Sequence, residues 1–278
     1  MSGKKILKAL AMIGAGIGGG LIGYGTYLYF KQDSMIFDVQ PLSKQRLAEI
    51  EIKYPDSNFF FESPTGITLQ GFELHKDKDL PLVIYFGGNC DEASFYLDLF
   101  DQMEDFHIIL PNYPGYGLSG GIPSEASFYT EALSIYDYFT KKYEKSPEEV
   151  FIIGRSIGTC VTTYLASKRK TNAICLITPF HSLEELAQKM YPFLPVSWLI
   201  KHRFNAIEFA PKVEAPCLFM LAEYDESVPR QSSEKLAKAW AGEVKLITLP
   251  DTTHENVMDY PVLLDEITEF FDSYLKGK

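Results

Sequence analysis

Short runs of consecutive apolar residues recur along most of the chain, and between them apolar residues return every three or four positions. The runs 81–86, 150–153, 173–177 and 217–222 are short for helices and lack a polar alternation, as expected of strands buried on both faces of a sheet. Two further strands are predicted at 108–110 and 244–249. Helical spacing marks 124–142, where Ala126, Tyr129, Leu133 and Tyr136 share a stripe, and also 159–170, 231–240 and 262–275. Ahead of these, F-F-F-E and the alternating I-T-L-Q-G-F-E-L flank Pro64-Thr65-Gly66, which predicts a hairpin over 58–74. Strands that alternate with helices predict an α/β fold with a mainly parallel central sheet covered on both faces. The rhythm breaks once, at 179–205, where a short amphipathic piece (Leu183, Leu186, Ala187, Met190) precedes Y-P-F-L-P-V-S-W-L-I. This stretch predicts a small helical lid inserted between two strands.

The first 31 residues follow another pattern. Residues 9–30 carry no charge and, as a helix, would reach about 33 Å, enough for a hydrocarbon core of about 30 Å. Lys4, Lys5 and Lys8 precede the stretch, whereas Lys31 is followed at once by Asp33. The expectation is a single-pass membrane protein with a cytoplasmic tail and transmembrane helix over 1–31 and the domain that follows on the non-cytoplasmic side. Tyr24, Tyr27, Tyr29 and Phe30 fit an interfacial belt better than a signal-peptidase site. Overlapping G-x-x-x-G spacings between 14 and 25 permit close helix packing and self-association. Gly14 to Gly19 also matches G-x-G-x-x-G with Asp38 about 20 residues on, but several strand-helix units are needed for a dinucleotide site and another fold begins near 58. The region 32–57 reads as a connector, and 58–278 as the α/β domain.

The chain has 278 residues, 46% hydrophobic and 23% charged, the composition of a globular protein with a large core. A net charge of -11 excludes a general nucleic-acid binder, which needs clustered lysine and arginine. Cys90, Cys160, Cys175 and Cys217 have no metal-ligand or C-x-x-C spacing and read as free thiols, mostly buried. No metal or organic cofactor is implied.

Candidate chemistry centres on Val150 to Gly158, V-F-I-I-G-R-S-I-G. A nucleophile on a sharp strand-to-helix turn needs neighbours without a bulky Cβ, which Gly154 and Gly158 supply around Ser156. A serine hydroxyl needs a base in hydrogen-bond reach, and the base needs an acid to orient it. Of the five histidines, His254 alone follows the end of a late predicted strand. His75, His107, His181 and His202 read as surface or internally satisfied residues. The matching position after the preceding strand holds Asp225, with Glu223 and Glu226 as competitors. Acyl transfer also needs two N–H donors for the developing oxyanion. Ile157 supplies one, and the loop after the 81–86 strand the other, from Asn89 in preference to Gly88. Phe193, Leu194, Trp198 and Leu199 of the predicted lid point to an apolar acyl substrate. Tyr113 and Tyr116 read as turn residues.

The motifs Y-F-G-G-N (85–89), N-Y-P-G-Y-G-L-S-G-G (112–121), G-R-S-I-G (154–158), T-P-F-H-S-L (178–183), Y-D-E-S-V-P (224–229) and T-T-H-E-N (252–256) occur in one order. In that order the run from about 59 to 275 resembles an α/β-hydrolase-fold serine hydrolase of the serine aminopeptidase-like and alpha/beta-hydrolase-domain esterase branch. Relatives of that branch often carry an N-terminal membrane anchor. The resemblance implies Ser156 as nucleophile, Asp225 as acid and His254 as base, and a carboxylesterase or thioesterase acting on a small-molecule or lipid-like acyl substrate. A serine aminopeptidase and a non-catalytic, membrane-tethered binding protein of the same fold are the alternatives. One departure stands out: the family usually has His-Gly where this chain has Gly87-Gly88.

Overall fold

The computed structural model describes residues 3–275, with side-chain surroundings described from residue 18 onward. Eight strands form one sheet in the order β1-β2-β4-β3-β5-β6-β7-β8. They are β1 (Asn58–Glu62), β2 (Thr68–Leu74), β3 (Leu82–Phe86), β4 (His107–Pro111), β5 (Val150–Arg155), β6 (Ala173–Ile177), β7 (Cys217–Ala222) and β8 (Val244–Leu249). The hairpin β1-β2 is antiparallel to its neighbours, and the six strands from β4 to β8 in sheet order are mutually parallel. The sheet is therefore mixed, with Gly66 at φ 80° turning the hairpin.

The helices are α1 (Gly3–Ile36), α2 (Lys44–Lys53), α3 (Leu97–Phe100), α4 (Glu125–Lys142), α5 (Ile157–Ala166), α6 (Leu183–Met190), α7 (Val196–Leu199), α8 (Arg230–Ala239) and α9 (Leu263–Leu275). The apolar runs have no polar alternation because both faces of the sheet are covered. In β5, Val150 and Ile152 pack with Phe128, Ile135 and Val161 of α4 and α5, whereas Phe151 and Ile153 join Phe106, Ile267 and Phe271 on the other face. The start of α4 is fixed by a capping box in which Ser124 and Ser127 satisfy each other's backbone N–H groups. Helix α5 begins two residues earlier than the apolar spacing suggests, directly after Ser156, and ends at Ala166.

The expected membrane span is overturned. Among the described residues no helix is long and apolar enough to cross a membrane, although α1 runs for 34 residues. Five glycines between 18 and 25 supply almost no apolar surface, and Thr26, Lys31, Gln32 and Asp33 follow. The side chains of 9–17 lie outside the described residues. With the span fall its corollaries: the single-pass placement, the non-cytoplasmic catalytic domain and self-association through a glycine-rich membrane helix. Glycines 14–19 lie inside α1 rather than on a strand-to-helix turn, so no dinucleotide loop forms there.

The second half of α1 instead docks on the insertion that carries α6 and α7. Gln32 donates from Nε2 to the Leu199 carbonyl at 3.0 Å and accepts from the Lys201 N–H at 2.7 Å. Asp33 meets Lys201 at 3.0 Å and His202 at 3.2 Å. Partial burial acts to raise the Asp33 pKa, but these two partners outweigh it and hold the carboxyl below its usual value. Tyr24 packs edge-on against Tyr191, and Phe37 continues into the core beside Phe128 and Phe204.

Candidate active site

In the sheet, β3 is flanked by β4 on one side and β5 on the other, so the chain order reverses there. Loops at the carboxyl ends of such strands open a crevice suited to ligands. Strand β5 ends at Arg155, and Ser156 follows with φ 50° and ψ -118°, a conformation that costs a non-glycine residue about 1–3 kcal/mol. The packing around it holds the strain. A Cβ on Gly158 would lie 2.0 Å from the Phe86 carbonyl oxygen, and one on Gly154 would lie 2.5 Å from Thr162 Oγ1. Both glycines are thus required for the turn that presents the hydroxyl.

Ser156 Oγ lies 2.9 Å from His254 Nε2, and His254 Nδ1 lies 2.9 Å from Asp225 Oδ2. The other Asp225 oxygen accepts the N–H groups of Ser227 (3.0 Å) and Val228 (2.7 Å), which fixes the carboxylate. Of the competing acids, Glu223 accepts the Asp251 N–H instead and Glu226 is exposed. Asn256 accepts the Thr253 N–H at 2.7 Å and braces the loop that carries the imidazole. Three residues from three strand-end loops thereby meet.

Two residues with no role in the sequence reading tie these loops together. Arg155 Nη1 donates to both oxygens of Asp91, at 2.7 and 2.9 Å, while Nη2 donates to the His254 carbonyl at 3.1 Å. Asp91 also accepts the Gly88 N–H at 2.5 Å. The Gly88 N–H, the alternative second donor expected from the sequence, is therefore engaged. The Gly87-Gly88 departure has a steric cause: a Cβ on Gly87 would sit 2.7 Å from the Asp91 Cβ, and one on Gly88 3.2 Å from Arg155 Nη1. Tyr113 and Tyr116 donate to the carbonyls of Gly87 (3.0 Å) and Asn89 (2.6 Å), so these turn residues also hold the loop. The only sequence signal for this network was the position of Arg155 inside G-R-S-I-G.

A cavity of about 630 Å³ opens over Ser156 and is lined by Asn89, Ile157, Leu183, Met190 and His254, with Met35 and Ile36 of α1. The four residues expected to contact substrate do not share one place. None of Phe193, Leu194, Trp198 and Leu199 lines it; Phe193 and Trp198 are 82% and 85% exposed, whereas Leu194 and Leu199 face α1. A proline-bounded turn carries Phe193 and Trp198 outward, and the amphipathic face of α6 lines the cavity over Ser156. Cys90 is exposed at the cavity rim, and the other three cysteines are buried free thiols. Among the described residues no group of three or more His, Cys, Asp and Glu side chains is placed to hold a metal ion.

Comparison with known proteins agrees on the fold. The family profile described as alpha/beta hydrolase fold matches residues 81–198. An uncharacterized protein of Mycobacterium tuberculosis is 30% identical over 194 residues, which cover 68% of this chain and 69% of that one. Alpha/beta hydrolase domain-containing protein 17C of Homo sapiens is 27% identical over 187 residues, covering 66% of this chain and 54% of its own. Among solved structures, an alpha-beta hydrolase from Vibrio vulnificus superposes with a TM-score of 0.66 at 18% identity, covering 90% of this chain and 92% of that one. Est1E of Butyrivibrio proteoclasticus, solved with ferulic acid bound, gives 0.62 at 18% identity, covering 78% and 97%.

Proposed function

The chain belongs to the alpha/beta-hydrolase fold family, and from that premise we propose that it is a serine hydrolase that cleaves a carboxylic ester or thioester of an apolar acyl group. Esterase-type hydrolase activity in general is supported by the family and the fold. The finer reading rests on one observation: the continuous path from Ser156 Oγ through the His254 imidazole to Asp225, at 2.9 Å in each step. We place the catalytic domain at 58–278, with the 179–205 insertion as its lid.

In this mechanism His254 Nε2 takes the Ser156 proton as Oγ attacks the acyl carbon. The resulting oxyanion accepts the N–H groups of Ile157 and Asn89. Asp225 accepts a hydrogen bond from Nδ1–H, holding the productive tautomer and stabilising the imidazolium. Collapse expels the alcohol or thiol, which receives the proton from His254, and leaves Ser156 acylated. Water then attacks the acyl-enzyme as His254 takes its proton, and His254 returns that proton to Ser156 Oγ as the carboxylic acid leaves. Arg155 and Asp91 do not touch the reacting atoms and act by positioning the loops that do.

The test is labelling of the whole chain by a fluorophosphonate probe, beside Ser156→Ala and His254→Ala. Labelling by wild type alone is expected, and ester turnover should fall on the order of 10⁶-fold in either variant. Labelling that survives in Ser156→Ala, or is absent from folded wild type, would mean that Ser156 is not an activated nucleophile.

A further inference from the structure

The cavity over Ser156 has a neighbour. Between α1 and the insertion lies a second cavity of about 210 Å³, walled by Leu28 and Tyr29 on one side and by Ala187, Leu194 and Val196 on the other. Among the described residues no charged side chain lines it, and Gln32, its most polar wall residue, spends its amide on the backbone of Leu199 and Lys201. Polar groups that could hold water are therefore scarce, and an apolar space of this kind takes an apolar occupant. The cavity over Ser156 differs, since Asn89, Ser156 and His254 give it polar walls suited to the ester head.

The two spaces adjoin. Met35, Ile36, Leu183 and Met190 wall both, so a single layer of side chains separates them. Met35 and Met190, both largely exposed, are unbranched and can swing aside at little cost. The outer wall, by contrast, is fixed, because Gln32 and Asp33 clamp α1 to the segment 199–202.

From this continuity we infer that the acyl chain of the substrate passes Met35 and Met190 and lies in the cavity between α1 and the insertion. The ligand class is an unbranched aliphatic acyl chain, and α1 forms a wall of its binding site. The inference rests on the ester-hydrolase reading above for the position of the reacting carbonyl. It also accounts for the outward placement of Phe193 and Trp198, which are not needed as chain contacts.

The experiment compares the whole wild-type chain with Ala187→Phe, which fills the cavity from α6, and Leu28→Asp, which charges its α1 wall. Each methylene buried contributes about fourfold in affinity. The ratio of kcat/KM for p-nitrophenyl octanoate to that for the acetate is expected to fall at least tenfold in both variants, with thermal unfolding reporting whether each has folded. Dodecanoate binding to the Ser156→Ala protein, measured by calorimetry, is expected to weaken at least tenfold when either substitution is added. This second readout does not depend on turnover. If dodecanoate binds equally well with and without the substitutions, the inference is overturned even where the hydrolase reading stands. If no ester is hydrolysed but the substitutions weaken binding, the catalytic reading fails and the cavity remains an acyl-chain site.

Discussion

His254 and His107 make the same contact and sit in opposite kinds of place. The ring of His254 lies 2.9 Å from Asp225, and that of His107 lies 2.8 Å from Glu73. His254 stands on a loop beyond β8, beside an open cavity, and its second nitrogen meets Ser156 Oγ. His107 opens β4 with no exposed surface, its Glu73 partner is also held by Tyr143 and Lys142, and among the described residues its second nitrogen has no hydrogen-bond partner. The remaining three histidines also have carboxylates in reach: His75 with Asp101, His181 with Glu185 and His202 with Asp33. A histidine–carboxylate pair therefore identifies nothing by itself. The chemistry is decided by what the other ring nitrogen touches and whether a substrate can reach it.

The sharpest way to break this comparison is to neutralise the acid of each pair. On the proposed mechanism Asp225→Asn leaves the imidazole in the wrong tautomer, and kcat is expected to fall about 10⁴-fold with little change in thermal midpoint. Glu73→Gln should do the reverse. It should retain fluorophosphonate labelling and lose about 1–3 kcal/mol of stability in urea unfolding, because the buried groups of His107 and Tyr143 lose a charged acceptor. Equal losses of activity in the two variants would remove the distinction.

Much of this arrangement was legible in the chain before its structure. The continuous apolar run of β5, the two glycines around Ser156 and the position of His254 after a late strand are local signals, and local geometry decides them. What escaped the reading depends on partners distant in sequence. The burial of His107 comes from Glu73, reached across the β2-β4 pair. Arg155 meets Asp91 from 64 positions away, and Gln32 meets Leu199 from 167 positions away. The apolar stretch at the start failed as a membrane span for a related reason: a glycine-rich helix has the length of one, but its hydropathy and its docking surface are separate matters. The lid aromatics were misplaced because periodicity reports that a face is apolar, not which cavity it faces.

A smaller effect is expected where the catalytic loops are positioned. Arg155→Met severs the link from Asp91 to the His254 carbonyl while retaining the side chains of Ser156, His254 and Asp225. A misplacement on the order of 1 Å costs about 10²-fold in rate, so kcat is expected to drop by that order with KM nearly unchanged. Arg155→Lys should recover only part of the loss, since Nη1 and Nη2 reach two different loops and one ammonium cannot span both. Full recovery by lysine would show that charge alone is needed.

The smallest effect sharpens the other half of the comparison, through pH. Burial acts to raise the Glu73 pKa, but hydrogen bonds from His107 and Tyr143 and the charge of Lys142 outweigh it and hold the carboxyl below its usual value. A carboxyl whose folded pKa is depressed contributes stability that is fully present above its unfolded value of about 4.3, and that contribution is lost as pH falls through the lowered folded value. The wild type should therefore lead Glu73→Gln by a constant margin in urea unfolding from pH 7 to about 5, and the margin should narrow progressively below pH 4 as the unfolded chain takes up the proton first. Since the glutamine of the variant cannot titrate, the narrowing belongs to the Glu73 carboxyl and its partners, at the end of the sheet away from Ser156. A margin that stays constant down to pH 3 would mean that Glu73 is held by packing rather than by its charge, and His107 would then be a buried aromatic like its neighbours.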